Sequence, residues 1–230
     1  MYLLYIANKA YSSWSLRPWV LMQTLDIPFE ERLMPFGAGA DRHDFRKFAP
    51  NGKVPCLHDG ATVVWDSLAI VEYLAERHRG VWPSDTIARA FARSAAAEMH
   101  SGYAALRQVC SMVCGIRVRL HRFDAGLKQD LQRLEELWRD GLMRFGGPFL
   151  AGSRFSAMDA FFAPVAFRIQ TYGLEVEEPA MGYAARLLAL PAMRRWYEAA
   201  LRETWRDTAH ERDTHEAGTV LEDLRRTAEG

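Results

Sequence analysis

The chain has 230 residues, 49% hydrophobic and 25% charged, which suits one or two soluble globular domains with room for two modest cores. Its 29 Lys and Arg balance its 29 Asp and Glu, so no broad basic surface is implied and nucleic acid is a poor partner. The apolar N-terminal run is too short to cross a membrane and lacks a basic n-region and a small-residue cleavage site, so no membrane association and a cytoplasmic location are expected.

Residues 2–7 (YLLYIA) are short, aliphatic and aromatic, and predict a buried strand. A polar interruption, Tyr11 to Trp19 (YSSWSLRPW), follows at once. Arg17 to Leu25 (RPWVLMQTL) predicts a helix with Pro18 in its first turn, ended by Asp26-Ile27-Pro28. Phe29 to Met34 predicts a second strand, Gly37 to Ala40 a loop, and Asp44 to Phe48 a helical turn stopped by Pro50-Asn51-Gly52. Val54 to Leu57 and Ala61 to Trp65 predict two strands joined by His58-Asp59-Gly60, since Asp-Gly is a strong hairpin signal. Asp66-Ser67 then opens an amphipathic helix, capped by one of the two. Residues 1–80 thus read β-α-β-α-β-β-α.

After a turn-rich linker the pattern becomes helical, with no strand expected from Ile87 onward. Arg89 to Val118, Gly126 to Phe145, Met158 to Tyr172, Ala180 to Leu188 and Ala192 to Trp205 are the predicted helices. The third of these is notably apolar and is expected to be central and buried. The domains expected are therefore 1–80, 87–206 and a charged tail, 207–230, read as a loosely attached helix or a disordered segment. The three cysteines, Cys56, Cys110 and Cys114, contain no CxxC pair, so neither a disulfide framework nor a metal site is expected. Cys110 and Cys114 read as two core residues one turn apart on a helix.

Three pieces of the first unit carry the chemistry. These are Ser12-Ser13 where a strand gives way to a helix, Lys53-Val54-Pro55 at the start of a strand, and Asp66-Ser67 at a helix start. In an α/β unit, strand ends and helix N-termini gather on one edge. A helix N-terminus offers unpaired N–H groups and a positive dipole end, a ready site for a carboxylate. A cis Val54-Pro55 bond would turn the Val54 backbone outward to pair with an extended peptide ligand. Taken singly each piece has a plainer role, as a helix cap or a strand-edge proline. Their order and spacing in one frame point to a ligand site.

With these motifs the sequence resembles the cytosolic glutathione transferase superfamily over nearly its whole length, to about Trp205. YSSWSLRPW looks like the serine motif of the zeta-like and theta-like classes. PNGKVPCL and WDSLAIVEYLAE resemble the family's two glutathione-binding segments, and FSAMDAFFAPV is similar to its buried S/T-x-x-D helix start, in which Ser156 and Asp159 can cap one another. The resemblance implies a thioredoxin-like N-terminal domain followed by a helical-bundle domain, a homodimer, and glutathione as cosubstrate for transfer to a small electrophile. It implies that Asp66 and Ser67 hold the γ-glutamyl end, that Val54 (beside Pro55) pairs with the cysteinyl backbone, and that Lys53 lies near the glycyl carboxylate. It also implies that a serine hydroxyl holds the sulfur as thiolate. The zeta-like frame favours Ser12 and the shorter theta-like spacing favours Ser13, so both stand, Ser13 first. Trp14 occupies the place where the zeta class carries cysteine, which argues against thiol redox chemistry and weakens the alternative of a glutathione-dependent cis–trans isomerase. A transferase-like protein that only binds is the remaining alternative. The second substrate is expected between the domains, against Tyr11, Trp14, Met99, His100, Tyr103 and Arg107.

Overall fold

The structure is a computed structural model that describes residues 1–36 and 42–226. The predicted loop at Gly37 to Ala40 lies outside the described residues. A four-stranded mixed sheet forms the first unit, in the order β2-β1-β3-β4. β1 (Tyr2–Ile6) alternates in burial and runs parallel to β2 (Phe29–Leu33), with Tyr2 opposite Phe29 and Ile6 opposite Leu33. β3 (Cys56–Asp59) and β4 (Thr62–Trp65) form the hairpin that Asp59-Gly60 signals, Asp59 facing Thr62 across the turn. Gly60 has φ +58, the left-handed conformation that a tight hairpin turn requires and glycine adopts freely.

Between β1 and β2 runs α1 (Ser13–Thr24), which starts four residues earlier than the sequence predicts. Pro18 therefore lies inside the helix rather than in its first turn. After α2 (Arg42–Phe45), α3 (Ser67–Ala75) follows the hairpin and buries Ile70, Val71 and Leu74.

The helical unit departs from the expected single helix over Arg89 to Val118. α4 (Thr86–Ser101) stops at Gly102, where a Cβ would stand 2.8 Å from the Glu98 carbonyl oxygen, and Tyr103 turns left-handed at φ 54. α5 (Ala104–Val109) is short, and β5 (Ile116–Leu120) is a strand. Cys110 and Cys114 therefore do not share a helix face; Cys110 ends α5, and the Cys114 amide donates to the Ala10 carbonyl at 2.9 Å. α6 (Ala125–Phe145), α7 (Ala157–Tyr172), α8 (Ala180–Ala189) and α9 (Pro191–Arg202) follow close to their expected positions.

α7 is the central helix. All but one of its residues are buried, and it packs on α1, α4 and α8. Each large apolar side chain buried there contributes about 1.5–3 kcal/mol relative to exposure. The Asp159 carboxylate at its start accepts from the Ser156 and Leu150 amides at 2.9 and 3.1 Å and from the Tyr183 hydroxyl at 2.8 Å, so one side chain ties α7 to α8 and to the turn before it.

The two units share one continuous core running from Leu4 and Ile6 to Trp196. Polar contacts reinforce the junction. The Glu203 carboxylate takes the Lys9 and Ala10 amides at 2.7 and 3.1 Å, and the Trp196 indole donates to the Lys9 carbonyl at 2.8 Å.

The C-terminal segment, expected to be loosely attached or disordered, is ordered over its described residues. α10 (Thr208–Ala217) leads into β6 (Gly218–Asp223), which pairs antiparallel with β5. These two strands correct the expectation that none follows Ile87. No helix among the described residues is long and apolar enough to cross a membrane.

Candidate functional site

A cavity of about 620 Å³ opens where the sheet unit meets the helical unit. One wall is the start of α1 (Tyr11 to Trp14) with Lys53 and Val54 beside it. The other is built from Arg107, Ser111, Met112 and Arg168, and the C-terminal segment adds Asp207 and His210.

Ser12 sits at the N-cap of α1, but its hydroxyl makes no cap bond; it donates to the Ser15 hydroxyl at 2.7 Å. The Ser15 oxygen also receives the Ala7 amide at 3.4 Å, so Ser12 belongs to a buried chain under the turn. Ser13 is the first residue of the helix and lines the cavity, and its hydroxyl has no partner among the described residues. In the same turn the Ser13 amide donates to the Tyr11 carbonyl at 2.9 Å and the Leu16 amide to the Ser12 carbonyl at 3.1 Å, which leaves the Trp14 and Ser15 amides at the helix N-terminus.

Tyr11 also lines the cavity, yet its proton is committed elsewhere. The phenol donates to Glu211 Oε1 at 2.6 Å and receives Arg225 Nη1 at 3.2 Å. Burial and the Glu211 bond push its pKa well above the ordinary tyrosine value.

The Val54-Pro55 peptide is cis. Lys53 and Val54 reach the cavity; Pro55, Asp66 and Ser67 are outside its lining. Asp66 has φ 77 and caps α3 through Leu68 N at 2.8 Å. Ser67 is buried, and its hydroxyl has no partner among the described residues. His100 Nε2 stands 3.6 Å from Asp66 Oδ2, and its ring meets Trp14 edge-on with centroids 5.2 Å apart. Asp66 is thus linked through His100 to the residue after Ser13. Burial holds the His100 pKa below the ordinary histidine value, with the Arg17 and Arg107 charges acting in the same sense against the pull of Asp66.

Of the other expected walls, Tyr11, Trp14 and Arg107 line the cavity, whereas Met99 and Tyr103 are buried in the core. Cys56 is fully buried, its thiol donating to the Phe48 carbonyl at 3.4 Å, and burial pushes its pKa up to about 11.

Two titratable sets of lining residues escaped the sequence reading. Arg168 is one cation in a helix that is otherwise almost wholly apolar, and that isolation was a usable signal. Asp207 and His210 lie in a polar segment with no periodicity to place it. The segment is docked by the Tyr11–Glu211 contact, in which the Glu211 carboxylate is gripped by Arg225 at 2.5 and 3.0 Å.

A thioredoxin-like mixed sheet followed by a helical bundle, with a serine-bearing helix start at their junction, defines the fold class. The sequence matches the glutathione S-transferase N-terminal domain over residues 11–77 and the glutathione S-transferase C-terminal domain over residues 117–199. The chain belongs to the glutathione S-transferase family. It is 41% identical over 61 residues to the dichloromethane dehalogenase of Methylorubrum extorquens, a match covering 26% of this chain and 21% of that protein. It is 27% identical over 201 residues to a protein of Vibrio cholerae named "Probable maleylacetoacetate isomerase", covering 79% of this chain and 89% of that one. Among solved structures, the theta class glutathione S-transferase of Xanthomonas axonopodis pv. citri with glutathione bound superposes with a TM-score of 0.61 at 25% identity, covering 85% of this chain and 96% of that chain.

Proposed function

We propose that this protein transfers glutathione to a small electrophile and that the Ser13 hydroxyl holds the glutathione sulfur as thiolate. The observation that carries the reading is the Ser13 hydroxyl itself, set in the first turn of α1, facing the cavity and without a partner among the described residues. Ser12 is the second candidate, since it lies in the same turn but gives its proton to Ser15. Likeness to a transferase that holds glutathione supports the choice of cosubstrate.

The magnitudes are adequate. A free thiol ionises near 8.5, and lowering that by about 2 units requires roughly 2.7 kcal/mol. A hydrogen bond to a charged acceptor contributes about 1.5–3 kcal/mol and a helix N-terminus about 0.3–1 kcal/mol. The thiolate then attacks the electrophilic carbon and the leaving group departs with its electron pair. Lys53 serves the glycyl carboxylate, the Val54 backbone the cysteinyl unit, and Asp66 and Ser67 the γ-glutamyl end. The Ser67 hydroxyl, buried and unpartnered at a helix start, is suited to accept that ligand.

The similarity to the Vibrio protein favours a second reading, a glutathione-dependent cis–trans isomerase. Calorimetric titration with glutathione, followed by turnover of a chloroaromatic electrophile, tests the proposal: binding and a thioether product are expected. Binding without any thioether product points to isomerisation or to binding alone. Absence of binding contradicts all three. We also propose a homodimer by family likeness; sedimentation at a mass near 26.2 kDa would contradict it.

A further inference from the structure

On and beside the helical wall of the cavity there is more positive charge than the protein neutralises. Arg17, at the edge of this wall on α1, feels the charges of Arg168 and Arg107 against the weaker pull of Asp66, Arg168 feels that of Arg107, and none of the three forms an ion pair among the described residues. Arg168 is only 4% exposed, yet it lines the cavity. Its Nε donates to the Cys110 carbonyl at 2.8 Å, and no other donor of this side chain has a partner among the described residues. Arg107 gives its terminal nitrogens to the His100 and Ser101 carbonyls at 3.0 and 3.4 Å and also faces the cavity. Arg17, wedged between the Trp14 and Phe161 rings at 4.1 and 4.8 Å, leaves Nε and Nη1 without partners. Burial, with the neighbouring arginines, lowers its pKa to about 9, and burial lowers that of Arg168 to about 10, so both remain cations at neutral pH.

The lining has one carboxylate among the described residues, and it is already engaged. Asp207 holds His210 Nδ1 at 2.6 Å and the His210 amide at 3.1 Å. Lys53 lies with the serines, on the wall that the proposed function gives to glutathione. A guanidinium buried without a counter-ion is costly unless a ligand brings the opposite charge. Two guanidinium groups facing one cavity suit a carboxylate, which accepts two parallel N–H bonds.

We propose that the second substrate is an electrophile bearing a carboxylate, and that Arg107 and Arg168 bind that carboxylate while the reacting carbon meets sulfur at the opposite wall. This rests on the proposed function and adds the charge class of its second substrate.

The test compares chlorodinitrobenzene with its ring carboxylate, chlorodinitrobenzoate. In both, the thiolate forms the carbon–sulfur bond and chloride leaves with the electron pair of the broken carbon–chlorine bond. With each kcat/KM divided by its uncatalysed rate, the carboxylate should be favoured by about tenfold or more. That ratio should fall about tenfold in Arg107→Gln and in Arg168→Gln, and Arg168→Lys should restore part of it. A corrected ratio near one in the unmodified protein overturns the proposal. So does a fall shared equally by both electrophiles, or a loss of glutathione affinity in its place.

Binding of the two finished conjugates to the unmodified protein supplies a measurement independent of turnover and of any variant's folding. Tighter binding of the carboxylated conjugate is expected, and equal affinity overturns the proposal. If glutathione itself does not bind, both readings fall; if it binds and the charge preference is absent, only this one does.

Discussion

The proton of each hydroxyl at the start of α1 has a distinct destination. Ser12 gives its proton to Ser15, Tyr11 gives its own to Glu211, and Ser13 has no partner for its own among the described residues. Tyr11→Phe should therefore leave the titration of bound glutathione thiol unmoved, and an upward shift in that variant would return the phenol to contention. Asp66→Ala and Ser67→Ala are each expected to weaken glutathione binding by about 1.5–3 kcal/mol, and Asp66→Ala also loses the α3 cap, at about 1 kcal/mol of stability. Calorimetry that finds unchanged affinity in both removes α3 from the site. The residue types at this turn were legible from sequence, because two adjacent serines, a Val-Pro pair and an Asp-Ser pair recur in a β-α-β-α-β-β-α frame. What separates Ser12 from Ser13 was not legible, since it depends on Ser15 lying one turn further along a helix that begins at Ser13 rather than Arg17.

Among the elements, α7 and the C-terminal segment are held by opposite means, and they were unequally readable. The cap of α7 is local, with Ser156 and Asp159 three residues apart, so its motif was visible in the chain. Asp159→Ala removes the acceptor of two amides and two hydroxyls and should cost about 3 kcal/mol, measured by denaturant unfolding, whereas Ser156→Ala should cost about 1 kcal/mol. Wild-type stability in Asp159→Ala would contradict the buried network. The C-terminal segment is held together by its own charges, Arg225 joining Glu211 and Asp223, and is docked through Tyr11, 200 residues from Glu211, so charge without periodicity gave no sign of docking. β5 was hidden for a related reason, as its short Ile116-Arg117-Val118 alternation follows directly on helical runs and its partner strand lies about a hundred residues away in the segment read as a tail.

These contacts carry a pH dependence. Burial raises the Glu211 pKa, but the Arg225 and Tyr11 bonds outweigh it, and the Arg225 bonds depress that of Asp223. Carboxylates held below their ordinary values stabilise fully above the ordinary range, near 4, and that stability is lost as pH falls through the depressed values. Hydrogen-exchange protection of the β6 amides should therefore drop below about pH 4, before that of β1. In Glu211→Gln it should already be reduced at neutral pH. Equal protection of β6 at pH 3 and pH 7 would contradict this.

At the scale of the whole molecule, the sheet unit supplies the serine-bearing turn and the helical unit supplies Arg107 and Arg168 on the opposing wall, so the cavity exists only where the shared core joins them. The order of the two units followed from hydrophobic periodicity, while the cavity between them depended on long-range contacts such as Cys114 to Ala10 and Glu203 to Lys9, which no local pattern encodes. The central claim is that a hydroxyl at the start of α1 ionises glutathione, and the ultraviolet absorbance of bound thiolate against pH tests it most directly. In the unmodified protein and in Ser12→Ala the titration should fall well below the free-thiol value, about 8.5, and in Ser13→Ala it should rise by roughly 1.5 units, for a loss of about 2 kcal/mol. If the unmodified protein binds glutathione and neither serine variant moves that titration, the thiolate is not held by either serine and the account is contradicted.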